Sequence, residues 1–198
     1  GRSLGAQVGE LLLDKMPSDI MPADLGAIVQ AACLAHDIGN PPFGHTGEDA
    51  IRHWFRDPNN QHFLDGMGSE EIKDLQTFEG NAQGFRVVTR IENHLFDGGL
   101  RLTYPTLGAL LKYPWSAAHA DSKGKFSAYQ TELEILNKLG RELGLIQTGE
   151  DRWCRHPLTY LMEAADDICY AILDLEDAIE LNILSFEEIK PILLQLCG

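Results

Sequence analysis

His36 and Asp37 stand side by side after the apolar run Ala32-Cys33-Leu34-Ala35. Neighbours on a helix project about 100° apart. An imidazole nitrogen and a carboxylate oxygen from such a pair can therefore take adjacent positions round one divalent cation, whether manganese, iron, zinc or magnesium. The pair also reads as a plain helix end, with His favouring the dipole and Asp capping the next turn. His45 and Glu48 are three residues apart at the start of the next helix and can share a face. A carboxylate that fixes an imidazole tautomer and raises its basicity makes an acid/base pair. A capping arrangement with Glu48 in the first turn has the same spacing.

Further along, Asp166, Tyr170 and Asp174 repeat at four-residue steps and form one stripe of a helix. Leu161, Met162, Ile168, Ile172 and Leu173 make that helix otherwise apolar, and a buried carboxylate there needs a partner or a metal. Glu176, Asp177 and Glu180 read instead as a solvated face. Lys112-Tyr113-Pro114-Trp115 and Lys123-Gly124-Lys125-Phe126 set cations beside aromatics, the arrangement best suited to anchoring phosphate in an acidic chain. Asn81 shares a helical face with Phe78 and Phe85, so its amide calls for a specific partner, a ligand or a structural hydrogen bond.

These residues need helices to position them. Leu4 to Met16 is amphipathic and stops at Pro17. Asp24 is placed to cap a helix from Leu25 to about Ile38, which ends in the breaker run Gly39-Asn40-Pro41-Pro42-Phe43-Gly44. Thr46 is placed to cap a helix to about Phe55, and Arg56 to Ser69 reads as a surface loop. Phe78, Phe85, Val88, Ile91 and Leu95 predict one helix over Thr77 to Leu95. Thr106 to Lys112, Tyr129 to Leu143, His156 to about Leu181 with Pro157 in its first turn, and Phe186 to Leu196 complete the set. With no alternating strand pattern of any length, the fold class is all-α. Both ends read as interrupted, so the 198 residues are expected to be a single helical domain cut from a longer chain.

Composition narrows the function. Lys+Arg 16 against Asp+Glu 30 gives a net charge of -14, which repels phosphate backbones and anionic membranes while leaving room for one small phosphate ligand. No apolar stretch approaches the ~20 residues of a membrane span. The cysteines Cys33, Cys154, Cys169 and Cys197 are scattered, with no metal or redox spacing, which fits a reduced, cytoplasmic setting.

Together, the His36-Asp37 pair, the Gly39-to-Glu48 loop, the Asn81-Ala82-Gln83-Gly84 turn, the Lys112-Tyr113-Pro114 segment and the Met162-to-Asp177 helix resemble the HD-superfamily deoxynucleotide triphosphohydrolases. The resemblance is closest to the bacterial dGTPase-like branch and runs in the family's order along nearly the whole chain. It implies an HD-domain helical bundle that cleaves a dGTP-like deoxynucleoside triphosphate at the α-phosphorus into deoxynucleoside and tripolyphosphate. It implies a divalent ion (Mg or Mn, with Fe, Ni or Zn as alternatives) on His36, Asp37 and Asp166, with His45 and Glu48 as the catalytic His and its acidic partner. It places Asn81, Lys112, Tyr113 and Lys125 around the triphosphate and Tyr170 and Asp174 at the sugar, and it implies a homo-oligomer. The family's first metal-binding His lies upstream of a segment like Gly1-Arg2-Ser3-Leu4-Gly5, and no His precedes His36. A further phosphate-contacting Arg of the family's C-terminal part likewise has no counterpart. The rival readings are another HD-type metal phosphohydrolase, a nucleotidase or phosphodiesterase, and a non-catalytic regulatory domain that binds nucleotide.

Overall fold

The computed structural model describes residues 1–93 and 98–197. They form two compact units, Gly1–Met162 and Glu163–Gly198. Among the described residues the regular structure is helical apart from one short hairpin, as the periodicity predicts. Among the described residues no helix is long and apolar enough to cross a membrane.

In the first unit, α1 (Arg2–Leu11) packs on α2 (Pro22–Ala35). Gly5 and Gly9 make that approach possible, because a Cβ at either would press on the α2 backbone. Asp24 is not the cap itself. It lies inside α2 and accepts the Met21 N–H at 2.8 Å, the reach-back half of a capping box. Helix α3 (Gly44–Arg56) begins before Thr46, directly after Phe43, whose φ of 67° is left-handed. The expected 56–69 loop contains a 3₁₀ turn, Pro58–Leu64, capped by Asp57, and leads into α4 (Ser69–Gln76).

The helix expected over 77–95 is broken into parts. The chain is extended at Glu79, whose side chain caps α5 (Gly80–Arg86), and a π-helical stretch, Val87–Ile91, follows. Leu95 lies outside the described residues. Next come α6 (Tyr104–Leu110), a 3₁₀ turn at Gln130–Glu132 and α7 (Leu133–Glu142). The hairpin β1 (Gln147–Gly149) and β2 (Arg152–Trp153) is too short for a strand pattern to show in the sequence. Helix α8 (Pro157–Glu180) opens in this unit, with Pro157 in its first turn as expected.

The core gathers Phe85, Val88, Leu107, Leu110, Leu136, Leu139 and Trp153. Burying each of the larger of these side chains contributes about 1.5–3 kcal/mol. A smaller cluster, Ala82, Ala117, Phe126 and Tyr129, holds the turn at Asn81 against the 115–129 segment.

The second unit holds the rest of α8 and α9 (Phe186–Cys197). Ser185 and Glu188 form a reciprocal capping box at the start of α9: the Ser185 N–H donates to Glu188 Oε2 at 3.0 Å and the Glu188 N–H to Ser185 Oγ at 3.4 Å.

Candidate active site

His36 follows the last residue of α2. Its Nδ1 lies 2.7 Å from the Cys33 carbonyl oxygen, which only a protonated Nδ1 can serve as donor. In the neutral ring this leaves the lone pair on Nε2, the tautomer in which a second group orients a metal-ligating histidine. Nε2 is 3.4 Å from Asp37 Oδ2, with the two side chains 18% and 50% exposed. Donors each about 2.1 Å from one ion, at right-angled to tetrahedral angles, are themselves ~3.0–3.4 Å apart. The pair therefore fits a shared divalent cation. Among the described residues no group of three or more His, Cys, Asp or Glu side chains converges as a metal cage.

The loop after Asp37 is held tightly against α5. A Cβ at Gly39 would fall on the backbone of Gly80 and Gly84. This contact seats His36, Asp37 and the start of α3 beside the turn that carries Asn81.

The expected pairing of His45 with Glu48 is not formed. His45 is exposed, whereas Glu48 is 3% exposed and turned inward. Glu48 Oε1 accepts the Gly80 N–H at 2.6 Å, and Oε2 accepts from Arg52 Nη2 at 3.1 Å. Lys125 Nζ stands 3.6 Å from the same Oε2. Arg52 in turn donates to the Phe78 carbonyl at 2.6 Å and to Asp49 at 3.0 Å.

At the centre is a residue that sequence reading passed over. Glu79 has no exposed surface. Its Oε2 accepts the N–H groups of Asn81 at 2.7 Å and Ala82 at 3.3 Å. Its Oε1 accepts the Asn81 side-chain amide at 3.0 Å and Lys125 Nζ at 2.7 Å. Burial alone would lower the Lys125 pKa, but the hydrogen bond and charge of Glu79, with the charge of Glu48, more than reverse this and raise it. The structure thus brings Glu48, Asn81 and Lys125 together, through Glu79. The signal was available: an acid directly before Gly80-Asn81 can cap a new helix, and Arg52 lies four residues after Glu48.

Lys112 and Tyr113 are half-buried, and Tyr113 lies within reach of the charges of Glu79 and Lys125. The Tyr113 N–H donates to Ser127 Oγ at 3.2 Å, and its ring centre lies 5.7 Å from that of Trp115. Arg155, also passed over, places its guanidinium 5.3 Å from the Tyr113 ring centre and 5.7 Å from that of Tyr160. Burial raises the Tyr113 pKa against the opposing charges of Lys112, Arg155 and Lys125.

Asp166, Tyr170 and Asp174 belong to the second unit. They lie on one uninterrupted helix, α8, so their four-residue steps do place them on one face. Asp166 is half-buried, while Tyr170 and Asp174 are exposed.

No family model matches the chain. It is 56% identical over its full length to the deoxyguanosinetriphosphate triphosphohydrolase-like protein of Pseudomonas aeruginosa, covering 46% of that protein. It is 44% identical to the protein of the same description from Synechocystis sp., over 96% of this chain and 46% of that one. It is 41% identical to the deoxyguanosinetriphosphate triphosphohydrolase of Yersinia enterocolitica, over 87% of this chain and 38% of that one. The chain spans about half the length of the curated relatives it matches. Along its whole length the chain is thus similar to part of the deoxyguanosinetriphosphate triphosphohydrolase-like proteins.

Proposed function

We propose that the chain carries the catalytic site of a metal-dependent deoxynucleoside triphosphate triphosphohydrolase, acting on a dGTP-like substrate at the α-phosphorus. The observation that carries this reading is the buried network Glu48–Lys125–Glu79–Asn81, which joins helix α3, the Asn81 turn and the Lys125 segment in one place. The names of the relatives support the same reaction.

His36 and Asp37 would hold a divalent ion, and the chemistry such an ion supplies is Lewis-acid polarisation of a phosphoryl oxygen. His45 is exposed and free of Glu48, so it meets substrate directly and moves a proton at the reacting centre, to the leaving 5′-oxygen or from the attacking water. Lys112, Tyr113, Asn81 and Lys125 receive the triphosphate, whose departing charge the lysines offset. Tyr170 packs against C2′ and Asp174 accepts the 3′-hydroxyl, so a 2′-hydroxyl would be desolvated without a partner. Tyr170→Ala is therefore expected to narrow the preference for dGTP over GTP, read as the ratio of kcat/KM values.

The test is product analysis by anion exchange after incubation with each dNTP and with GTP, in Mn²⁺ or Mg²⁺. Deoxynucleoside with tripolyphosphate is the expected result. Release of orthophosphate or pyrophosphate would overturn the proposal in favour of another metal phosphohydrolase. Stoichiometric metal binding without turnover would favour a regulatory domain.

A further inference from the structure

Glu79 does more than end an extended segment. A helix N-cap needs only a short acceptor, and Asp57 and Thr103 do that work elsewhere in this chain. Ser or Asp at position 79 could meet the Asn81 and Ala82 N–H groups. Only the longer glutamate side chain also reaches Lys125 from the same carboxylate. Its Oε1 is shared by the Asn81 amide and the Lys125 ammonium, at 3.0 and 2.7 Å. Each donor spends one N–H on Glu79. The amide keeps a second, and the ammonium, with another directed near Glu48, keeps a third. A fully buried carboxylate is costly unless it is paired and hydrogen-bonded. Here it has four donors.

We propose that Glu79 is a positioning residue that aims the Asn81 amide and the Lys125 ammonium at a single polyphosphate anion. This rests on the reading of Asn81 and Lys125 as triphosphate contacts. Glu79 itself touches no substrate. It fixes the two donors relative to each other and keeps the lysine charged inside the fold. In its absence each would still be present but no longer aimed.

The experiment is calorimetric titration of the full chain with inorganic tripolyphosphate in chelator-treated, metal-free buffer. Wild type, Glu79→Asp, Lys125→Met and the double variant are compared, each checked by thermal melting. Aspartate keeps a capping acid but falls short of Lys125. Glu79→Asp and Lys125→Met are each expected to weaken binding roughly tenfold, the size of one charged hydrogen bond. The double variant is expected to be no weaker than Lys125→Met alone, because a positioning residue has nothing left to position. Losses that multiply, or unchanged binding by Glu79→Asp, would overturn the proposal while leaving the anion site standing. No binding by wild type would overturn the anion site and the proposal with it. If Glu79→Asp does not fold, wild type alone decides through pulse acylation with acetic anhydride. Lys125 should react roughly tenfold more slowly than exposed Lys123, as expected of a lysine tied by one charged hydrogen bond. Equal rates would overturn the proposal.

Discussion

Glu79 and Asp74 are both buried carboxylates of the first unit, 0% and 5% exposed, and the chain treats them in opposite ways. Glu79 has both oxygens engaged and a lysine at 2.7 Å. Asp74 accepts one bond, from the Gln130 N–H at 2.6 Å, and its Oδ1 has no partner among the described residues. Burial pushes the Asp74 pKa up to about 6, with the charges of Glu132 and Glu70 adding to the effect. The contrast teaches where this molecule maintains charge inside itself. It supplies donors and a cation at the candidate site, and lets a carboxyl without them drift toward neutrality.

The comparison can be broken at several points. The largest effect is expected from Glu79→Ala, which uncaps α5 and strips Lys125 of its nearest anion. Disrupting a buried pair in this way costs about 3–5 kcal/mol, read from urea unfolding. A loss below 1 kcal/mol would mean that the network contributes no more than a surface one.

Asp74→Asn comes next and has a defined sign. Because the folded pKa is raised from 3.8 to about 6, the folded state holds the proton more tightly. The stability this contributes is complete below pH 3.8 and is lost as pH rises through about 6. The shift corresponds to ~3 kcal/mol. Unfolding at pH 4 and pH 7.5 should show the wild type losing about that much more than the Asn variant across the interval. Equal pH dependence would place the shift in another group.

Tyr129→Phe sharpens the picture at smaller scale. The hydroxyl donates to the Glu79 carbonyl at 3.2 Å, and its removal should cost ~1 kcal/mol. His45→Ala should change stability least, by under about 0.5 kcal/mol, since the side chain is exposed. It should also abolish triphosphohydrolase turnover in the product assay. A stable but fully active His45→Ala would remove His45 from the chemistry.

The helices were legible because three- and four-residue apolar spacing survives in any context. Helix α8 begins where Pro157 says it should. The stretch 77–95 misleads for a physical reason. Phe78, Phe85 and Val88 keep helical spacing, yet Glu79 abandons helix geometry to cap the next turn, and spacing alone does not register a cap. His45 and Glu48 show the limit from the other side. Local spacing makes them neighbours, but a backbone N–H 32 residues away and a guanidinium four residues on take the Glu48 carboxylate. Asn81 and Lys125 each stood out by residue type. Their junction at Glu79 depends on a contact across 46 residues, which no window of sequence contains.

Gly39, seated on the backbone of Gly80 and Gly84, carries a consequence at the level of the gene. Every amino acid reachable from a glycine codon by one base change has a Cβ. At this codon no single-nucleotide missense mutation is a mild one. Each drives an atom into the α5 backbone, and with it separates the His36-Asp37 loop from the turn that holds Asn81. The codon can drift only through its third base, while the exposed helix surfaces a few residues away remain free to vary.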